Sequence, residues 1–131
     1  MTFTPSLFLR RALLLDAVAT AATGVLLVGG TSILQSLLNL PTWLMIEAGI
    51  FCLVWAALVA FAGTRQMLSR TFVLAIVAGN AVWALGSVLL LVSGTVSPTL
   101  LGYAFVTAQA LVVGVFAELQ YVGLKRTAVT A

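Results

Sequence analysis

The stretch WLMIEAGIFCLVWAALVAFAG, residues 43–63, decides the fold. It contains one carboxylate, Glu47, and no basic residue. A helix rises about 1.5 Å per residue, so a run of this length crosses a hydrocarbon layer about 30 Å thick. Working outward, residues 12–30, 71–92 and 99–123 are apolar runs of the same kind. The expectation is one all-α domain over residues 1–131, a polytopic membrane protein with four transmembrane helices. Gly29-Gly30-Thr31, Gly63-Thr64-Arg65-Gln66 and Ser93-Gly94-Thr95 supply the stops. Thr4-Pro5 and Ser97-Pro98 read as helix starts.

Composition excludes most alternatives. Of 131 residues, 63% are hydrophobic and 7% charged, where a soluble domain carries roughly a quarter. There is no histidine, and Cys52 is the single cysteine. An intrachain disulfide, a zinc site, and a Ser/His or Cys/His catalytic pair are therefore ruled out. No phosphate-binding loop or metal-ligand spacing occurs, so no metal, cofactor or enzymatic activity is expected.

The connector Thr31–Leu40 carries Ile33, Leu34, Leu37 and Leu38 at helical spacing, opposite Ser32, Gln35, Ser36 and Asn39. That stripe suits a short interfacial helix ended by Pro41; the alternative is a loop whose leucines touch lipid. Orientation follows from the bases. Arg10 and Arg11 precede the first span, Arg65 and Arg70 lie between the second and third, and Lys125 and Arg126 follow the fourth. All fall on one side, which places both termini in the cytoplasm and the protein in the bacterial inner membrane. The net charge of +3 is thus a topology signal, and nucleic acid is not an expected partner. Asp16 inside the first apolar run argues against a cleaved signal peptide, so that span is expected to remain in the mature protein.

A shift of 64 residues lays Asp16-Ala17-Val18 on Asn80-Ala81-Val82, Thr23 on Ser87, and Gly30-Thr31 on Gly94-Thr95. Two duplicated hairpins in parallel orientation would be related by an axis along the membrane normal. Chance recurrence of Leu and Val is the competing reading. Small residues Ala48, Cys52, Ala56 and Ala60 fall at every fourth position of the second span, where close backbone approach supplies packing. Cys52 reads as part of that stripe, Trp43 as an interfacial anchor, and Trp55 and Trp83 as deeper volume-fillers.

All three carboxylates fall in or at the spans, where an ionisable group marks a functional candidate. Asp16 and Asn80 each lie about 20 Å from the outer turns, and Gln109 about 16 Å in from Pro98. Asp16, Asn80, Gln109, Thr20, Thr23 and Ser87 form the candidate translocation site or polar core. Asp16 either carries protons or holds helices together, and both readings stay open. Glu118, near the cytoplasmic edge, is expected to pair with Arg11 or Arg65. Glu47, about 6 Å inside Trp43 with no cation on its side, is a candidate protonated acid.

Leu13-Leu14-Leu15-Asp16-Ala17-Val18, Gly24-Val25-Leu26-Leu27 and the run Ala117–Arg126 resemble uncharacterised small bacterial four-helix membrane proteins, which implies the fold and no activity. Size and one carboxylate in the first span also resemble small multidrug transporters. The chain departs from these in having Asp16 rather than glutamate, a cationic 64–70 loop and the interfacial segment. Two functions follow as expectations. One is an oligomeric proton-linked transporter or channel for a small solute or ion. The other is a non-catalytic accessory or scaffold subunit of a larger membrane complex. Lipid and either a second copy or a larger complex are the expected partners.

Overall fold

A computed structural model describes the backbone of residues 2–130 and the side chains of residues 2–126. In chain order the elements are β1 (Thr2–Phe3), α1 (Leu7–Gly29), α2 (Thr31–Leu38), α3 (Thr42–Thr64), β2 (Leu68–Ser69), α4 (Arg70–Val92) and α5 (Leu100–Thr130). Four of the helices are long and apolar enough to cross a membrane: α1, α3, α4, and α5 over Leu100–Arg126.

The helix starts differ from those expected, for local reasons. Ser6 rather than Thr4 caps α1, accepting from Leu9 N at 3.1 Å. The helix therefore begins five residues ahead of Ala12, with apolar Leu7, Phe8 and Leu9 in its first turn. Thr99, not Ser97, opens α5: its hydroxyl accepts from Gly102 N and donates to Leu37 O. That double role ties the start of α5 to the end of α2. Asn39 ends α2 in the left-handed region (φ 54°), and its amide donates to Ser97 O.

The short helix expected in the connector forms over Thr31–Leu38, but its apolar stripe is divided. Leu38 is buried and Leu34 packs beside it, while Ile33 and Leu37 face outward. Half of the stripe thus serves the bundle rather than the lipid.

At the opposite end, β1 pairs antiparallel with β2, Thr2 beside Ser69 and Phe3 beside Leu68. Arg10 reaches across to donate to Gly63 O at 2.8 Å, satisfying a carbonyl at the C-terminus of α3. Arg126 lies over the Phe8 ring. All six basic residues lie in or beside these segments, at one end of the bundle.

Helix α1 packs chiefly on α3, and α4 on α5. The α1–α3 crossing is set by two glycines: a Cβ on Gly24 would meet Gly49 O at 2.9 Å, and one on Gly49 would meet Gly24 O at 3.1 Å. The buried stripe of α3 therefore runs through Met45, Gly49, Cys52, Ala56 and Val59. Ala48 and Ala60 are only half-buried, one position off the seam expected from sequence.

Two apolar cores close the interior. Leu9, Leu13, Val59, Val73, Ile76 and Leu124 fill the basic end, and Leu27, Leu38, Leu40, Met45 and Val106 fill the other. The outside is also apolar, with Leu15, Val54, Val82 and Leu111 each at least 60% exposed. Asp16, Asn80 and Gln120 are instead enclosed, the arrangement suited to a lipid surround.

Candidate functional site

Asp16, Asn80 and Gln120 are fully buried where α1, α4 and α5 converge. Asp16 Oδ2 accepts from Asn80 Nδ2 at 2.8 Å and from Gln120 Nε2 at 2.7 Å. The other oxygen, Oδ1, accepts from the Thr20 hydroxyl one turn along α1 at 2.9 Å. The second Asn80 hydrogen goes to Gln120 Oε1 at 3.0 Å, and Trp55 Nε1 donates to Asn80 Oδ1 at 3.1 Å. An indole N–H can only donate, so Trp55 fixes which way the Asn80 amide faces. Its NH2 must turn to Asp16, and the Gln120 amide follows.

A second cluster lies nearer the α2 end. Trp83 Nε1 donates to Gln109 Oε1 at 2.9 Å; Gln109 Nε2 donates to Ser87 Oγ at 2.9 Å and to Val106 O at 3.0 Å. Ser87 donates to Trp83 O, and Thr23 to Ala19 O, each within its own helix. Among the described residues no buried side-chain nitrogen or oxygen lacks a hydrogen-bond partner.

The structure thus brings Asp16, Asn80 and Thr20 together, and joins Gln109 with Ser87 in a separate cluster. Gln120, absent from the sequence reading, occupies the place beside Asn80 where Gln109 was expected. The depth of Gln109 reckoned from Pro98 holds only if all spans begin at one level. Helix α5 instead starts further out to pack on α2, which brings Val106 beside Leu27. Each residue of α5 therefore lies further out than that count implies. The usable signal was the spacing: Gln109 and Gln120 are 11 residues apart, three helical turns, and so share one face.

Neither remaining carboxylate joins the site. Glu118 is exposed, because two residues along a helix from inward-facing Gln120 a side chain points outward. The expected pair of Glu118 with Arg11 or Arg65 is not made. Arg11 is exposed, and Arg65 stacks over Phe61 at 5.1 Å. Lys125 lies about 10 Å further along α5 from Glu118. Glu47 is exposed on α3, without a hydrogen-bond partner among the described residues. No group of three His, Cys, Asp or Glu among them could hold a metal ion.

Beside the Asp16 cluster lies a cavity of about 260 Å³, faced by Thr20, Asn80, Trp55, Cys52 and Phe116. A second of about 470 Å³ extends toward the α2 end, past Leu27, Leu40, Leu44 and Leu90. Thr23, Phe51, Gly79, Trp83, Phe105 and Gln109 border both. The space exists because α3 and α4, from different hairpins, make little backbone contact. Phe51 bridges them, stacked on Trp83 with centroids 5.2 Å apart and on Trp55 at 5.9 Å. A Cβ on Gly79 would collide with the edge of the Trp55 ring, so that glycine makes room for the indole. Asp16 itself does not face the cavities; Thr20 stands between.

The chain matches no family model, no curated protein and no solved structure.

Proposed function

We propose that this protein moves a small solute through the cleft between its two hairpins, with Asp16 carrying the coupling proton. The observation that carries this reading is the double position of Thr20, which bonds Asp16 Oδ1 and also faces the cavity. Two amide donors occupy Asp16 Oδ2, so an arriving proton has only Oδ1 to occupy. It reaches Oδ1 through the hydroxyl of Thr20. The protonated acid then donates to Thr20 Oγ, whose hydrogen turns back to the carbonyl one turn earlier, as helical threonines do. The switch changes the charge behind the cavity without moving a helix.

The apolar cores at the two ends act as the alternating closures. The 64-residue repeat supports this reading, since Asp16 and Asn80 are its matched positions and α1 and α4 are both 23 residues long. Such repeats rock against each other about a site between them. By the positive-inside rule the basic end faces the bacterial cytoplasm. Four helices enclose little volume, so the working unit is a homo-oligomer.

Two measurements test these statements. In a Cys52→Ala background, a cysteine at exposed Gln35 is expected to react with an impermeant maleimide from outside. One at Gln66 is expected to react only after permeabilisation; outside labelling of Gln66 would invert the topology. In liposomes loaded with a pH dye, Thr20→Val keeps the shape but removes the hydroxyl. Proton uptake driven by a pH gradient is expected to fall at least about tenfold, while stability changes by no more than about 1 kcal/mol, the scale of one net hydrogen bond within a helix. Uptake unchanged in Thr20→Val, or absent from wild type, would remove the proposal.

The alternative is the accessory-subunit role, which the exposed Glu47 and Glu118 favour. A carboxylate facing hydrocarbon is costly, and a cation on a neighbouring chain would relieve it. A detergent-solubilised particle containing a second, different protein would favour this reading.

A further inference from the structure

The strong donors that face the cleft are already committed. Both hydrogens of the Gln109 amide and both of the Asn80 amide are held by internal acceptors. The indoles of Trp55 and Trp83 donate to those same two residues. The hydroxyls of Thr20 and Thr23 donate to Asp16 and to the backbone of α1. What these groups leave open is lone pairs: on both threonine oxygens, on Asn80 Oδ1 and on Gln109 Oε1. The Cys52 thiol, a weak donor, is the only other polar side-chain hydrogen on the inner cavity.

No lysine or arginine borders either cavity, and the Asp16 carboxyl stands directly behind Thr20. The aromatic faces of Phe51, Trp55 and Trp83 add the negative side of their quadrupoles. Acceptors, π faces and a carboxyl together repel anions and give carbonyl or quinone oxygens nothing to bond. The largely apolar second cavity, at the α2 end, suits a hydrocarbon body.

We infer that the cleft binds a primary or secondary ammonium ion on a small apolar body, recognised through its own N–H groups. This rests on the reading of the cleft as a solute path and names the class of that solute. The ammonium sits against the oxygens of Thr20, Thr23 and Gln109, with its body against Phe51 and Trp83. A quaternary ammonium carries the same charge and can use the aromatic faces, but it has no hydrogen to give the oxygens.

Fluorescence titration of the full chain in detergent tests this. A Trp43→Phe background removes the exposed indole and leaves Trp55 and Trp83, both in the cleft, as reporters. The probes are 2-phenylethylammonium, its N,N,N-trimethyl analogue and 3-phenylpropionate. The primary ammonium is expected to give a saturable change, at least about tenfold tighter than the trimethyl compound, the loss expected for charge-assisted hydrogen bonds. Phenylpropionate is expected to give none. Thr23→Val leaves the Asp16 cluster untouched and is expected to weaken the primary ammonium by about tenfold.

Equal or tighter binding of the trimethyl compound or the anion would overturn N–H recognition while leaving a cleft that takes another solute. Binding unaffected by both Thr23→Val and Gln109→Leu would place the amine elsewhere and overturn the inference. No saturable change with any probe would also overturn it. The solute-path reading would then stand or fall on the Thr20-dependent proton uptake, which needs no amine.

Discussion

Asp16→Leu is expected to be the most destabilising single substitution in the membrane interior, and Asp16→Asn nearly silent in stability. Leucine removes an acceptor that receives three hydrogen bonds and leaves the Asn80 and Gln120 amides with hydrogens facing an apolar side chain. Two of the three cross between helices, where such bonds average about 0.6 kcal/mol and reach about 1.7, and the Thr20 bond within α1 adds about 0.5–1.5 kcal/mol, so the loss is roughly 2–5 kcal/mol. The upper part of that range is favoured, because the orphaned groups are fully buried and have no water to turn to. Asparagine has the same shape. Its carbonyl can take the place of Oδ2 and its amide that of a protonated Oδ1, donating to Thr20 Oγ. It is therefore a fixed copy of the protonated acid. Thermal unfolding in detergent should show Asn within about 0.5 kcal/mol of wild type and Leu far below it. Proton uptake into liposomes should be lost in both. An Asn variant as unstable as Leu would mean that the fold itself requires the carboxylate, and the proton route through Oδ1 would fail. Full uptake by the Asn variant would leave Asp16 as a helix-to-helix tie and favour the accessory-subunit reading.

Much of this arrangement was legible in the sequence, and the rest was not, for identifiable reasons. Span positions follow from apolar length alone, and the structure keeps all four within a few residues except at the start of α1 and the end of α5. The Asp16–Asn80 contact was legible because a shift of 64 residues lays one rare polar residue of an otherwise apolar helix on another. Rotation about a helix axis was harder to read. In lipid the outward faces are as apolar as the inward ones, so no amphipathic pattern marks the seam. The every-fourth-residue small stripe therefore points to Ala48 where the seam runs through Gly49. Longitudinal offset was the other gap: the contact of Thr99 with the end of α2 shifts α5 outward, and no local sequence pattern announces it. Trp55 and Trp83 read as volume-fillers, yet their N–H groups fix the amides of Asn80 and Gln109. A donor-only indole takes on that role only when it is buried beside an amide.

Gln120→Leu is expected to show whether the interior works as one network or as separate contacts. Gln120 donates to Asp16 Oδ2 and accepts from Asn80, so leucine deletes two bonds and should cost roughly 1–3 kcal/mol. The cost should not add to that of Asp16→Leu. With Asp16 already absent, one of the two bonds is gone and Asn80 is free to turn, so the double variant should be more stable than the sum of the singles predicts by about 1 kcal/mol. Gln109→Leu provides the contrast. It belongs to the Trp83–Ser87 cluster and shares no partner with Asp16, so its cost should add to that of Asp16→Leu within about 0.5 kcal/mol. Transport should divide the same two residues differently. In Gln120→Leu one of the donors on Oδ2 is missing, so a proton can settle on that oxygen, away from Thr20 and the cavity. Proton uptake should then slow even under conditions where the variant remains folded. Gln109→Leu leaves the proton site intact and alters only the wall of the cleft, so proton uptake should persist while amine binding weakens. Additive costs for Asp16 and Gln120, or uptake lost equally in both glutamine variants, would mean that the two clusters do not have the separate roles their hydrogen bonds assign them.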